Sequence, residues 1–212
     1  KVFNVEAMML YKWLNVSVGY KYLKDVMEWT KYIYPGKEFA YNTSLNFDHK
    51  QLLYASVNVS PKLGIFRPTW GFNYNQQFFD TRKYGASKAL SKPLLSCSLN
   101  NNFALSETMN AAIRLNASTT HADGFLMMKS GYSVNLQFDK SFANRTWIIY
   151  LSANDIFKTA KERWTMYGLG AGTTKDCYNY TRNISLQVTY NFNAKRSKYK
   201  GTGAGNEEKS RL

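Results

Sequence analysis

From residue 183 to residue 193 the chain reads Asn-Ile-Ser-Leu-Gln-Val-Thr-Tyr-Asn-Phe-Asn, with apolar and polar positions alternating without a break. Side chains on a strand flip at every residue, so Ile184, Leu186, Val188, Tyr190 and Phe192 share one face, and Ser185, Gln187, Thr189 and Asn191 the other. The polar face carries amides and hydroxyls rather than charges, and the apolar face closes in two aromatics. A transmembrane β-strand has that form: apolar toward lipid, polar toward a wet lumen, aromatic at the headgroups. A half-buried strand of a soluble sandwich alternates in the same way, so the rest of the chain has to decide.

The pattern recurs along the chain and predicts nine strands, at residues 13–22, 26–34, 52–60, 69–80, 93–104, 109–119, 127–139, 146–157 and 183–193. In 69–80, for example, Trp70, Phe72, Tyr74 and Phe78 oppose Gly71, Asn73, Asn75 and Gln77. Residues 24–25 read as a polar corner and Pro35-Gly36 as a strand end, while 41–47 reads as an extension inside a long polar stretch. Each strand is near or above the roughly 9–11 residues that cross a tilted bilayer path.

The connections alternate too. Those at 24–25, 61–68, 105–108 and 141–145 are short, those at 35–51, 81–92 and 158–177 are long, and 121–124 is intermediate. Short turns at one end and long loops at the other are the mark of an outer-membrane barrel, and a Greek-key sandwich has no reason to produce them. Followed back from the last strand, the alternation puts the short turns on the periplasmic side. Trp70, Trp147 and Phe192 then form an aromatic girdle there, where a soluble fold would instead bury them.

Composition narrows the picture. No apolar run approaches the roughly 18–20 residues of a membrane helix, and negative mean hydropathy suits a barrel whose strands are half wet. The net charge is +14. Residues 194–212 supply +4 of it, from six Lys or Arg against two Glu, and divide the chain into a partial barrel (1–193) and a basic, Gly-rich periplasmic tail (194–212). The rest is spread without an arginine-rich helix or stacking motif, so nucleic acid is not an expected partner; outer-membrane lipid is.

Candidate chemistry is sparse. Cys97 lies on an apolar face and, with Cys177, makes neither a disulfide framework nor a zinc site. Asp48-His49 and the pair His121 and Asp123 lack the third group that metal or protease chemistry needs. The glycines at 168–172 and 201–205 precede no helix and cradle no phosphate. No catalytic residue, metal or cofactor is expected, and the protein is not expected to be an enzyme. Lys21, Arg114 and Gln187 fall on polar faces as lumen-facing residues, and Arg163, Trp164 and Tyr167 in the longest loop are the candidates for substrate contact.

Several pieces resemble the C-terminal part of TonB-dependent outer-membrane receptors, in particular a Bacteroidetes-type outer-membrane β-barrel family. They are Leu151-Ser152-Ala153-Asn154-Asp155-Ile156-Phe157, similar to a penultimate-strand motif; Thr189-Tyr190-Asn191-Phe192, similar to a terminal strand; Ile65-Phe66-Arg67-Pro68, similar to a periplasmic turn; and the tail at 198–206. The resemblance implies a segment of a larger barrel of about 22 strands with a plug domain, importing a siderophore, glycan or similar nutrient. It also implies contact with the TonB complex through a part outside this chain, and possible pairing with a surface lipoprotein. The chain departs from the family in continuing past its terminal aromatic.

Two other readings stand beside that one: a small passive barrel, channel or adhesin-like, and a secreted soluble β-sandwich that binds carbohydrate. The chain opens on Lys1 without an initiator Met or leader and reads as processed or truncated. Strand arithmetic adds an expectation. Nine strands form an open sheet in meander order, with 13–22 at an edge that a strand preceding Lys1 completes.

Overall fold

The computed structural model describes residues 1–33, 40–82, 86, 90–168 and 172–192; the tail and the corner at Pro35-Gly36 lie outside them. The described chain is all-β. Nine strands form one antiparallel sheet: β1 (Val2–Tyr11), β2 (Leu14–Ile33), β3 (Ala40–Val59), β4 (Phe66–Phe78), β5 (Leu94–Ser106), β6 (Met109–Ser118), β9 (Gly131–Phe142), β10 (Trp147–Asn154) and β13 (Asn183–Tyr190). Four shorter strands form a second sheet in the order β12 (Gly172–Tyr178), β11 (Lys161–Tyr167), β8 (Leu126–Met128), β7 (His121–Asp123).

The predicted alternation is visible as rows across the large sheet. One row runs Met9, Val16, Val57, Phe72, Cys97, Ala117, Tyr132, each residue directly opposite the next. The neighbouring row runs Ser17, Ser56, Asn73, Ser96, Ser118, Gly131. The polar rows are tied across strands by Ser17 to Ser56 at 2.9 Å, Ser98 to Asn116 at 2.9 Å and Ser152 to Ser185 at 2.7 Å. The apolar rows stand open: Leu186 is 66% exposed and Phe72 44%. A continuous apolar surface of this extent is built for a solvent other than water.

The sheet is open, as expected, and follows chain order apart from the two inserted hairpins. The large sheet has nine strands, but they are not the nine predicted, and four further strands make thirteen among the described residues: β1 is not among those expected, 13–22 and 26–34 are one strand, and 127–139 is divided between β8 and β9. Residues 13–22 are not an edge strand awaiting a partner outside the chain, since β1 pairs with them along its whole length, from Val2 opposite Leu23 to Tyr11 opposite Leu14. The pattern at residues 2–11 is blurred because Met8 and Leu10 occupy polar-face positions.

Residues 24–25 are not a corner either. β2 runs through them, with Lys24 opposite His49 and Val26 opposite Phe47. Asp25 takes φ +57°, and the strand exchanges its faces there. Below the kink Lys50 shares a face with Leu52 and Tyr54; above it Glu28 and Phe47 sit on that same side, as the Lys50–Glu28 ion pair at 2.6 Å and the Phe47–Phe79 ring contact at 5.1 Å demand. A parity shift inside one strand and a turn between two strands leave the same trace in a sequence.

The exchange turns apolar side chains inward at the long-loop end, where Phe47, Phe79, Ala86, Leu90, Ala122, Phe125 and Met127 form a buried cluster. This cluster fastens the loops to the sheet. The long connections at 119–130 and 155–182 accordingly hold strands: β7–β8 and β11–β12 are hairpins from different loops, joined where Trp164, Thr165 and Met166 pair with Met128, Met127 and Leu126.

Candidate functional site

Where the loop sheet meets the polar face of the main sheet, the segment 159–162 overhangs β5, β6 and β9 and closes one side of a groove of about 550 Å³. Its floor is neutral: Ser96, Ser98, Asn116 and Ser133. A continuation of about 510 Å³ shares Ser118, Thr159 and Lys161 with it and ends among Lys158, Arg163 and Ser130.

The overhang is held by Asp155, one residue past β10. Its carboxylate, 2% exposed, accepts the Thr159 amide at 2.8 Å and the Ala160 amide at 3.1 Å on Oδ1, and the Thr181 hydroxyl at 2.8 Å on Oδ2. Burial pushes its pKa up, but these bonds and one from Tyr178 outweigh it and hold the group below its ordinary value. The Asn154-Asp155 motif is thus a structural pin: it fixes where the chain leaves β10 and where it enters β13.

Glu162 is fixed in turn. It accepts Lys175 Nζ at 2.7 Å, the Trp164 indole N–H at 3.0 Å and the Asn179 amide at 3.4 Å. The bond from Lys175, then those from Trp164 and Asn179, pull its pKa down to about 2, while Glu162 raises that of Lys175. Arg163 donates from Nη2 to Ser130 O at 2.6 Å, and its Nε is buried without a partner among the described residues. On the other side of the cap Gln77 clamps two loops, donating to Leu90 O at 2.8 Å and accepting Gly124 N at 2.8 Å.

The three loop candidates are therefore on one strand but in different roles. Arg163 lines the groove, Trp164 braces Glu162, and Tyr167 lies against the buried cluster. Lys21, Arg114 and Gln187 lie on the polar face of β2, β6 and β13, opposite Leu52, Asn100 and Tyr150, away from the groove lining. Trp147 and Phe192 flank Tyr190 with ring centroids 4.5 Å away on each side, and Trp70 donates its indole N–H to Asn101 Oδ1 at 2.9 Å. All three stand at the short-turn end. His49 stacks on Tyr22 and His121 Nδ1 lies 2.8 Å from Thr119 O; among the described residues no three His, Cys, Asp or Glu side chains gather as a metal site would need.

Sequence reasoning missed Lys158, Lys161, Glu162 and the serine and asparagine floor. Residues 161–167 and 172–178, flanking a glycine-rich stretch, carry the trace of a hairpin, which would have located the overhang; nothing in the pattern says which floor it covers.

One of three comparisons with known proteins shows a family. No curated protein matches the chain. Among solved structures, OmpT (in-vitro folded), an outer membrane protein of Vibrio cholerae, aligns with a TM-score of 0.48 and 13% identity, over 90% of this chain and 55% of that one. The chain therefore spans little more than half the length of that protein. The family model described as "Outer membrane protein beta-barrel family" matches residues 2–190, which is the whole two-faced sheet from β1 to the end of β13. With its apolar rows turned to lipid and its hydroxyl rows to water, the chain belongs to the outer membrane protein β-barrel family and resides in the bacterial outer membrane.

Proposed function

We propose that this chain is the C-terminal barrel segment of a TonB-dependent receptor that imports a nutrient such as a siderophore or glycan. The observation that carries the reading is the pair of open sheet edges. Among the described residues β1 bonds only to β2 and β13 only to β10, and unpaired strand edges in lipid cost several kcal/mol per backbone group. Because nine is odd, β1 and β13 run in the same direction, so closing the sheet on itself would make a parallel seam. Single-chain bacterial barrels avoid this by having an even number of strands. Additional strands between the edges remove the difficulty, and a larger barrel with a plug and the TonB complex as partner supplies them. The loop cap and its groove then face the medium, where a receptor meets its ligand, with a surface lipoprotein as a possible companion.

Uptake distinguishes this from a passive channel or adhesin. A strain lacking the gene is grown on single siderophores and glycans, and the nutrient it fails to use is followed as labelled uptake in the parent. Import abolished by collapsing the proton-motive force is the expected result. Uptake that persists without the gradient, or that tracks only the concentration difference, sinks the receptor reading in favour of the small passive barrel.

A further inference from the structure

The groove has two chemically distinct ends. Its floor of Ser96, Ser98, Asn116 and Ser133 offers hydroxyls and amides, which both donate and accept, and so suits a ligand dense in hydroxyl groups. Its far end gathers Lys158, Lys161 and Arg163 around Ser118, Ser130 and Thr159, and no carboxylate lines it among the described residues. Glu162 lines the floor section of the groove, but it is committed to Lys175, Trp164 and Asn179, as Asp155 is to Thr159, Ala160 and Thr181. Arg163 lines this end with its Nη2 held on Ser130 O at 2.6 Å, and a guanidinium there suits a ligand oxygen anion. The one aromatic among the described lining residues, Tyr132, belongs to the apolar row of the sheet, so none of these residues offers a flat aromatic ligand a ring to stack on.

From this we infer that the groove binds an acidic oligosaccharide, its sugar hydroxyls on the serine and asparagine floor and a carboxylate between Lys158, Lys161 and Arg163. As the substrate class of the importer proposed above, the inference rests on that reading; binding and transport are measured separately, so either can fail alone.

The protein purified from outer membranes in detergent is titrated with tetragalacturonate, with the neutral maltotetraose and with inorganic phosphate. Saturable binding of tetragalacturonate that weakens as salt rises is expected, with at least tenfold weaker binding of the other two. Lys161→Glu, at a side chain without a hydrogen bond or ion pair among the described residues, should lower tetragalacturonate affinity at least tenfold while the protein keeps its heat-modifiable migration. Arg163→Gln should act in the same direction, and a refolded Arg163→Lys should recover part of the loss. No binding of tetragalacturonate, equal binding of maltotetraose or phosphate, or unchanged affinity in Lys161→Glu overturns the inference. Binding that survives while energised uptake fails removes the importer and leaves the site standing.

Discussion

The ring of Tyr54 lies across Gly19. The two are direct cross-strand partners on the polar face, and the Tyr54 hydroxyl reaches past Gly19 to the edge strand, toward Asn4 Oδ1 at 3.0 Å and Glu6 Oε2 at 3.3 Å. A Cβ on Gly19 would overlap the ring. Glycine in a strand interior weakens the strand by itself, but here it opens the space through which an aromatic from β3 holds β1 to the sheet.

Gly19→Ala should therefore destabilise the protein by about 1–2 kcal/mol, since the ring must swing aside and release Asn4 and Glu6. In a Tyr54→Ala background the same change should be neutral or slightly stabilising, because alanine restricts the unfolded chain. Urea titration of folded and unfolded bands on gels measures both. Additive effects of the two substitutions would show that the ring and the glycine do not share the space.

Facing on the last strand is tested by neighbours. Leu186 lies in an apolar row opposite Leu151, and Gln187 on the polar face opposite Tyr150. Leu186→Arg should cost about 2–4 kcal/mol near the bilayer midplane, and Gln187→Arg much less. The readout is the folded fraction inserted into vesicles; equal damage at both positions would mean that the faces are exchanged.

The sequence made the membrane-crossing half of the fold legible because one period of two governs it from Lys50 of β3 to the end of β13. Ser152, Asn154, Leu151 and Ala153 could be assigned to faces without knowing any partner. Legibility failed where the period carried two meanings. At Asp25 a change of parity within a strand resembled a corner, and at Met8 and Leu10 apolar side chains on the polar face hid β1. The groove was harder still. Arg163 was found as a loop cation, but its companions Lys158 and Lys161 and the floor under them are joined by pairing between loops far apart in the chain, at Trp164 with Met128, which no local pattern encodes.

The Glu162–Lys175 pair gives the cap a pH response whose direction follows from the shifts. Glu162 has its carboxyl lowered from 4.5 to about 2 on folding, so its contribution to the β11–β12 hairpin is complete above pH 4.5 and disappears as pH falls through about 2. Lys175 is raised above 10.5, so its contribution is complete below that value and is lost as pH climbs through the higher folded value. Both groups are solvent-facing, and the effect is local fraying rather than global unfolding. Hydrogen exchange at residues 172–178, corrected for intrinsic rates, should accelerate between pH 4.5 and 2 in the parent. In Glu162→Gln it should be fast at every pH; a parent profile that matches the variant's would remove the pair from any role in holding the hairpin.

The open edges make the last prediction. β1 and β13 run parallel at opposite ends of the nine-stranded sheet, so a self-closed barrel must bring Ala7 close to the middle of β13, while a larger barrel keeps them apart. With Cys97 and Cys177 replaced by serine, Ala7→Cys is combined in turn with Ile184→Cys, Leu186→Cys and Val188→Cys, three positions on the same apolar face that span the reasonable registers. A disulfide forms only where Cα atoms come within about 7 Å. The control is Ala7→Cys with Val18→Cys, directly opposed on β1 and β2, which should oxidise in outer membranes and change the migration of the unheated protein. None of the three β13 combinations should do so. If any one of them crosslinks within a single chain as readily as the control, the sheet closes on itself, and the channel or adhesin reading replaces the receptor.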